Sequence, residues 1–334
     1  MKMIRKSFSS LLSSFLLVYL PGTRGFSGNT ISSYRDTFVL FLQFMLDTTK
    51  KQPEKISFED FKTSNIEDFL RWLEKERRCS ISTCNNRLAA IKSFFRYVQK
   101  ESPERIDIAG AVLTMQAKKT AQPEISYFSV DAVRLLLDAA QSGGIRDLAL
   151  LSLLYDSGAR VQEVADLSVG DVRLEKPCTV KLTGKGRKSR IVPLTAQVGD
   201  ILSRYVKSLK SDTHGAFLFN NRRGEPIGRA GISYILQKHT LAANAASPDI
   251  VPKKATPHML RHSKSMHLLE SGVNLIYIRD LLGHETVVTT EVYARANPEM
   301  KRKAIEASSS KIIQGSNYSM VEKENLMQWL RESI

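Results

Sequence analysis

Apolar residues recur at helical spacing along most of this chain, and one strand pair with a Gly-punctuated turn stands out against that background. The pair is Thr179–Leu182 and Arg190–Leu194, and its turn is Thr183-Gly184-Lys185-Gly186-Arg187-Lys188-Ser189. Helices must therefore supply most of the core, with at most a small antiparallel sheet beside them. At 334 residues the chain has length for about two domains.

The first 100 residues read as a small helical domain. Phe38, Leu42 and Met45 follow a cap at Asn29 or Thr30, and Lys50-Lys51-Gln52-Pro53 ends that helix. Thr63 or Ser64 can cap a helix carrying Ile66, Phe69, Leu70 and Leu73; Ser80 or Ser82 can cap another carrying Leu88, Ile91, Phe94, Phe95 and Val98. Residues 101–127 read as a linker, with little periodicity past Met115, and the domain boundary is expected near residue 120. Ser129 then caps a helix with Val133, Leu135 and Leu136, and a second helix covers 145–157. Residues 242–256 read as loose; helical patterns return at 257–271, 274–282 and 286–294. The expected division is an N-terminal helix (1–26), a helical domain (27–115), a linker (116–127), a second domain (128–310) and a tail helix (311–334).

At the N-terminus, Lys2, Arg5 and Lys6 precede the apolar run Leu11–Leu20, in the manner of a secretion signal. Pro21-Gly22-Thr23-Arg24 offers no small-x-small cleavage site, and Phe8, Leu11, Leu12, Phe15 and Leu16 lie at helical spacing. An amphipathic helix is the expectation. No stretch is long enough to span a membrane. Three cysteines, Cys79, Cys84 and Cys178, are too few for a disulfide framework and suit a reducing, cytoplasmic setting.

There are 49 Lys and Arg against 34 Asp and Glu, a net charge of +15. Residues 1–125 carry +7 and the remainder +8, so the excess is spread over both halves. A protein that grips an extended polyanion from two sides would be charged this way.

The residues able to do chemistry are scattered. Arg160 lies between two helical segments in Gly158-Ala159-Arg160-Val161-Gln162-Glu163, and Glu163 stands one turn later, where it can orient the guanidinium. Lys185 sits at a glycine-flanked hairpin tip, where backbone can approach a ligand closely. His258 and Arg261 open a helix after Thr256-Pro257 and share a face at i, i+3, beside N–H groups that favour anions. His284 comes after Gly283 at a helix end, and Tyr293 stands nine residues on. Each has a bland reading: a surface arginine, a solvated turn, a capping histidine, a core tyrosine. His262, Lys264 and His267 read as structure. There is no Walker loop, because Gly184-Lys185-Gly186 lacks the upstream glycine and the Ser or Thr after Gly-Lys.

Together, G-x-R-x-x-E, G-K-G, H-x-x-R, L-G-H and a tyrosine nine residues on resemble the tyrosine recombinase (phage integrase-like) family in order and spacing. The resemblance is strong over 128–300 and weaker over 25–100. It implies a mainly α fold with a small antiparallel sheet, and an N-terminal helical core-binding (SAM-like) domain that completes a C-shaped clamp on duplex DNA. It implies Tyr293 as the nucleophile that forms a 3′-phosphotyrosyl bond. Arg160 and Arg261 would clamp the non-bridging oxygens, with His258 and His284 as proton donors or buffers. Lys185 would be the general acid, and Glu163 would support Arg160. No cofactor, metal or ATP is expected. Four protomers are expected on two DNA sites, or a dimer on one, with accessory or sister recombinases as further partners. The tail helix, with Val321, Leu326, Met327, Trp329 and Leu330 in a stripe, is expected to dock on a neighbouring subunit.

Ser263-Lys264-Ser265-Met266-His267 departs from the small or apolar residues of many relatives, and looks more like recombinases of mobile elements than the Xer-type dimer-resolving enzymes. Two other classes of function compete with strand exchange: a DNA-binding relative without catalysis, and a metal hydrolase using His258, His262 and His284.

Overall fold

A computed structural model of the chain describes residues 6–120, 125–184, 186, 188–209, 215–221, 223–284, 286, 290, 302 and 328. The chain divides into two compact units, Met1–Gln122 and Pro123–Ile334. Helices dominate both, and the one sheet among the described residues is small and antiparallel.

In the first unit, α1 (Phe8–Ser14) runs into a π-helical segment (Phe15–Thr23), followed by α2 (Gly28–Thr49), α3 (Thr63–Lys75), α4 (Ile81–Glu101) and α5 (Ile106–Thr114). Ser7 and Ser80 cap α1 and α4 through their side chains. Lys50 ends α2 in the left-handed conformation. The N-terminal segment is not a separate element: Phe8, Leu11, Phe15 and Leu20 are buried in the same cluster as the later helices. The reading of 101–127 as linker is corrected over its first half, since α5 buries Ala109 and Val112 there.

This core is built of rings. Phe94 of α4 meets Phe8, Phe15 and Phe38 with centroids 5.2–5.8 Å apart, all edge-on, while Phe41 stacks on Phe61 at 4.3 Å. Edge-to-face pairs place a ring's positive rim against a negative face and add about 0.5–1.5 kcal/mol each beyond burial.

The second unit opens with α6 (Val130–Ser142), α7 (Ile145–Asp156) and α8 (Val161–Ala165). The sheet comes next as β1 (Val172–Arg173), β2 (Thr179–Thr183) and β3 (Ser189–Pro193), in the order β1-β2-β3. Then come α9 (Ala196–Ser208), α10 (Arg229–Ala246), α11 (Pro257–Glu270) and α12 (Leu275–Leu282). Every residue from Leu148 to Leu154 is buried, so α7 is the central helix, packed by α6, α9 and α11. The sequence reading missed β1, α9 and most of α10. Residues 242–246, expected to be loose, are the last turn of α10, with Ala243 and Asn244 buried. The helices expected at 286–294 and 311–334 fall outside the described residues apart from isolated positions.

The β2–β3 register aims one charged side chain at the core. Val180 pairs with Val192 and Leu182 with Arg190. Val180, Leu182 and Val192 are buried, so the strand alternation turns Arg190 inward with them.

Phe94→Ala is expected to lower unfolding stability by about 3–5 kcal/mol, because it removes a fully buried ring and leaves a cavity. Urea denaturation followed by circular dichroism measures it, and a loss below about 1 kcal/mol would contradict this account of the core.

Candidate active site

Three arginines from three different elements converge on one turn. Helix α12 starts at Asn274, whose side chain accepts from the Ile276 N–H at 2.9 Å, and ends at Gly283 in the left-handed conformation (φ 64°). The N–H of Gly283 reaches the Asp280 carbonyl and that of His284 reaches the Arg279 carbonyl. The next three carbonyls, of Leu281, Leu282 and Gly283, stand where a helix stops supplying N–H donors. Each receives an arginine instead. Arg190 Nε donates to Leu281 O at 2.8 Å, Arg261 Nη2 to Leu282 O at 2.8 Å, and Arg160 Nη2 to Gly283 O at 3.3 Å. The negative end of a helix dipole favours cations there.

Glu163 ties two of these groups together. Its Oε1 accepts from Arg160 Nη1 at 3.0 Å and from Arg190 Nη1 at 2.9 Å. Its Oε2 accepts from Arg190 Nη2 and from the Arg160 backbone N–H, both at 2.8 Å. Arg160 is the N-cap of α8 and Glu163 the third residue, so one short helix start sets both. The Glu163 side chain is only 2% exposed. Burial opposes its charge, but the Arg190 and Arg160 hydrogen bonds outweigh burial and hold its pKa at about 2.

Arg261 is buried in α11 and also donates from Nη1 to Gly158 O at 2.7 Å. Thr256 caps that helix and Pro257 opens it. His258, on its first turn, is exposed, and its ring lies 6.3 Å from that of His262. His284 sits just past the three gripped carbonyls, with Nδ1 3.0 Å from Thr290 Oγ1. Burial, then Arg261, Arg160 and Arg190, lower its pKa to about 4. It is a neutral imidazole near pH 7.

The structure thus brings Arg160, Glu163, Arg261 and His284 into one network, and leaves His258 exposed on the first turn of α11. Lys185 and Tyr293 lie outside the described residues. Gly184 N donates to Lys188 O at 2.9 Å, which places the ends of the Lys185 turn beside Glu163. Arg190 is the member that sequence reading missed: it opens the predicted strand Arg190–Leu194 with no role assigned to it. Its signal was strand alternation, two residues before buried Val192.

Lys264 and His267 are engaged elsewhere. Lys264 Nζ meets Asp156 Oδ1 at 2.8 Å, and Asp156 Oδ2 accepts from Thr195 N and Oγ1. His267 Nδ1 lies 2.8 Å from the Tyr155 hydroxyl. Among the described residues no group of three His, Cys, Asp or Glu is placed to hold a metal ion.

This geometry sets two expected outcomes. Gly283→Ala is expected to cost about 2 kcal/mol or more, since φ 64° suits glycine and a Cβ would fall 2.8 Å from Arg190 Nη1. Thermal unfolding checks it, and an unchanged midpoint would refute it. Acid is expected to destabilise the fold in two stages. The unfolded chain takes up the His284 proton near its ordinary pKa of 6.5, the folded chain only near about 4, so stability falls with pH across that window. Glu163 adds a further loss from about 4.5 down to about 2. In urea titrations against pH, His284→Asn should flatten the upper stage and leave the lower; an unchanged upper slope would refute the assignment.

Comparison with known proteins gives the family. The phage integrase family pattern matches residues 126–300, and the phage integrase N-terminal SAM-like domain matches 14–102. A putative integrase/recombinase of Sinorhizobium fredii is 36% identical over 306 residues, covering 91% of this chain and 92% of its own. The tyrosine recombinase XerD of Oceanobacillus iheyensis is 35% identical over 283 residues, covering 82% and 90%. Among solved structures, the Tn1549 transposon integrase with transposon right-end DNA has a TM-score of 0.71 at 17% identity, covering 89% of this chain and 99% of that one. XerH bound to its difH substrate has a TM-score of 0.67 at 21% identity, covering 89% and 84%. With its helical first unit, its small sheet and its arginine-lined turn, this chain belongs to the phage integrase family, the tyrosine recombinases.

Proposed function

We propose that the chain cleaves and rejoins duplex DNA at specific sites through a covalent 3′-phosphotyrosyl intermediate, as the integrase of a mobile element. The observation that carries this reading is the turn of α12, whose three carbonyls gather Arg160, Arg190 and Arg261 next to His284. A phosphodiester carries one negative charge, and an attacking phenolate brings a second. Three guanidinium groups against one carboxylate leave a surplus of two positive charges, with His284 neutral. The site is charged for that transition state before DNA arrives, which is where enzymes gain most.

In this reading Tyr293 Oη attacks the scissile phosphorus and forms the P–O bond to the protein. The bond to the 5′ oxygen breaks, the phenolic proton passes to solvent water, and the Lys185 ammonium gives a proton to the departing oxygen. Arg160 and Arg261 bind the non-bridging oxygens, and His258 and His284 hydrogen-bond to the same phosphate. Glu163 supports Arg160. A 5′ hydroxyl then attacks the phosphotyrosine, restoring the phosphodiester and freeing Tyr293. The bond energy is conserved, so neither ATP nor a metal is called for.

The partner is double-stranded DNA, gripped by both units, residues 27–115 and 128–310, each net positive. Exchange of strands in two rounds suits four protomers on two sites, with residues 311–334 docking on a neighbour. A Xer-type dimer-resolving role is the second reading, favoured by the 35% identity to XerD. Inverted repeats bounding a segment around the gene would support the first role; a site at the replication terminus would support the second.

Sheared DNA of the source genome, gene flanks included, incubated with the protein in EDTA should yield a covalent adduct on a denaturing gel. Tyr293→Phe should abolish the adduct while retaining DNA binding. DNA binding with no adduct from the unaltered chain would overturn the proposal in favour of a binding-only protein.

A further inference from the structure

We infer that Arg190 is a positioning residue of the reaction: it holds the Glu163 carboxylate and the Leu281 carbonyl so that Arg160 and His284 are presented together to the phosphate. The inference rests on the phosphoryl-transfer reading above and deepens it. Every nitrogen of the Arg190 guanidinium is spent on the protein. Nη1 and Nη2 fork onto the two oxygens of Glu163 at 2.9 and 2.8 Å, and Nε takes Leu281 O at 2.8 Å. Its side chain is 15% exposed, against 40% for Arg160. Of the two guanidinium groups on Glu163, Arg160 is the one more open to a phosphate.

The two are coupled through one carboxylate. With Arg190 in place, Glu163 shares Oε1 between two guanidinium groups and gives Oε2 to Arg190 and the Arg160 backbone. Without it, both oxygens would be available to the Arg160 side chain, which would become a closed ion pair with its charge quenched. The site's surplus of positive charge would drop by one. Lysine replaces this arrangement only in part: it keeps the charge, but a point charge cannot make three bonds in one plane. Backbone closes around the pair on both sides. A Cβ at Gly184 would fall 3.0 Å from Glu163 Oε1, and one at Gly283 2.8 Å from Arg190 Nη1. One side chain on β3 therefore joins the hairpin that carries Lys185, the start of α8 that carries Arg160, and the end of α12 that leads to His284.

The test uses the full chain and the duplex captured as its adduct, synthesised with either the natural scissile phosphodiester or a methylphosphonate. The methyl group replaces a non-bridging oxygen and removes the charge that Arg160 must meet. Single-turnover adduct formation is measured for the unaltered chain, Arg160→Ala, Arg190→Ala and Arg190→Lys. Arg190→Ala is expected to lose about 100-fold on the phosphodiester, the scale for losing one preorganised donor, and less than about 10-fold on the methylphosphonate, in parallel with Arg160→Ala. Arg190→Lys should show the same selectivity with a smaller loss. A variant that merely misfolds loses both substrates alike; equal losses in both Arg190 variants, or no loss on the phosphodiester, overturn the inference. An unaltered chain that forms no adduct at all brings down the phosphoryl-transfer reading and this inference with it.

Discussion

The C-terminal turn of α12 is the constraint on which the second unit's site depends. A helix that ends leaves carbonyls unmatched, and in a partly buried place they must be satisfied. Here guanidinium groups from α8, β3 and α11 do so at Gly283, Leu281 and Leu282 respectively. The turn thereby collects three like charges that would otherwise repel. Glu163 makes the gathering tolerable, and the cluster remains net positive. A structural need of the helix is thus met by atoms that also carry a surplus of positive charge.

This design explains why a neutral histidine sits among so many cations. His284 is pressed by burial and by three arginines to a pKa of about 4. It can donate or accept a hydrogen bond near neutral pH without adding charge or repelling its neighbours. The Lys264–Asp156 pair, whose carboxylate is buried, serves a different end. It joins α11 to the last residue of α7 and to Thr195, steadying the segment that ends at Gly158, whose carbonyl also receives Arg261. Breaking such a pair leaves a buried charge, which is costly, so these residues hold the frame rather than act on substrate.

Much of the fold was legible in the sequence because helix signals are local. Ser80 and Ser129 as caps, the Gly-punctuated hairpin and the apolar stripes of α3, α4 and α6 can be read from spacing alone. Three features were not legible for physical reasons. Helix α5 is short and was masked by Pro103 and Gly110, which read as linker composition. Helix α10 continues to Ala246 because burial of Ala243 and Asn244 overrides a weak local pattern. The N-terminal helix joins the aromatic core because Phe94 waits for it from a segment about ninety residues away.

For the site, the sequence by itself supplied the candidates: Arg160, Glu163, Lys185, His258, Arg261, His284 and Tyr293 stand in an order and spacing that resemble the tyrosine recombinases. It also determined that Gly283 would end a helix. Only the tertiary structure decided that three arginines meet on one turn, that Arg190 is one of them, and that His284 is neutral. Residue spacing along a chain carries information about neighbours within a turn or a strand. Which carbonyl an arginine reaches more than ninety residues away, and how burial and charge then set a pKa, depend on packing that no local pattern encodes.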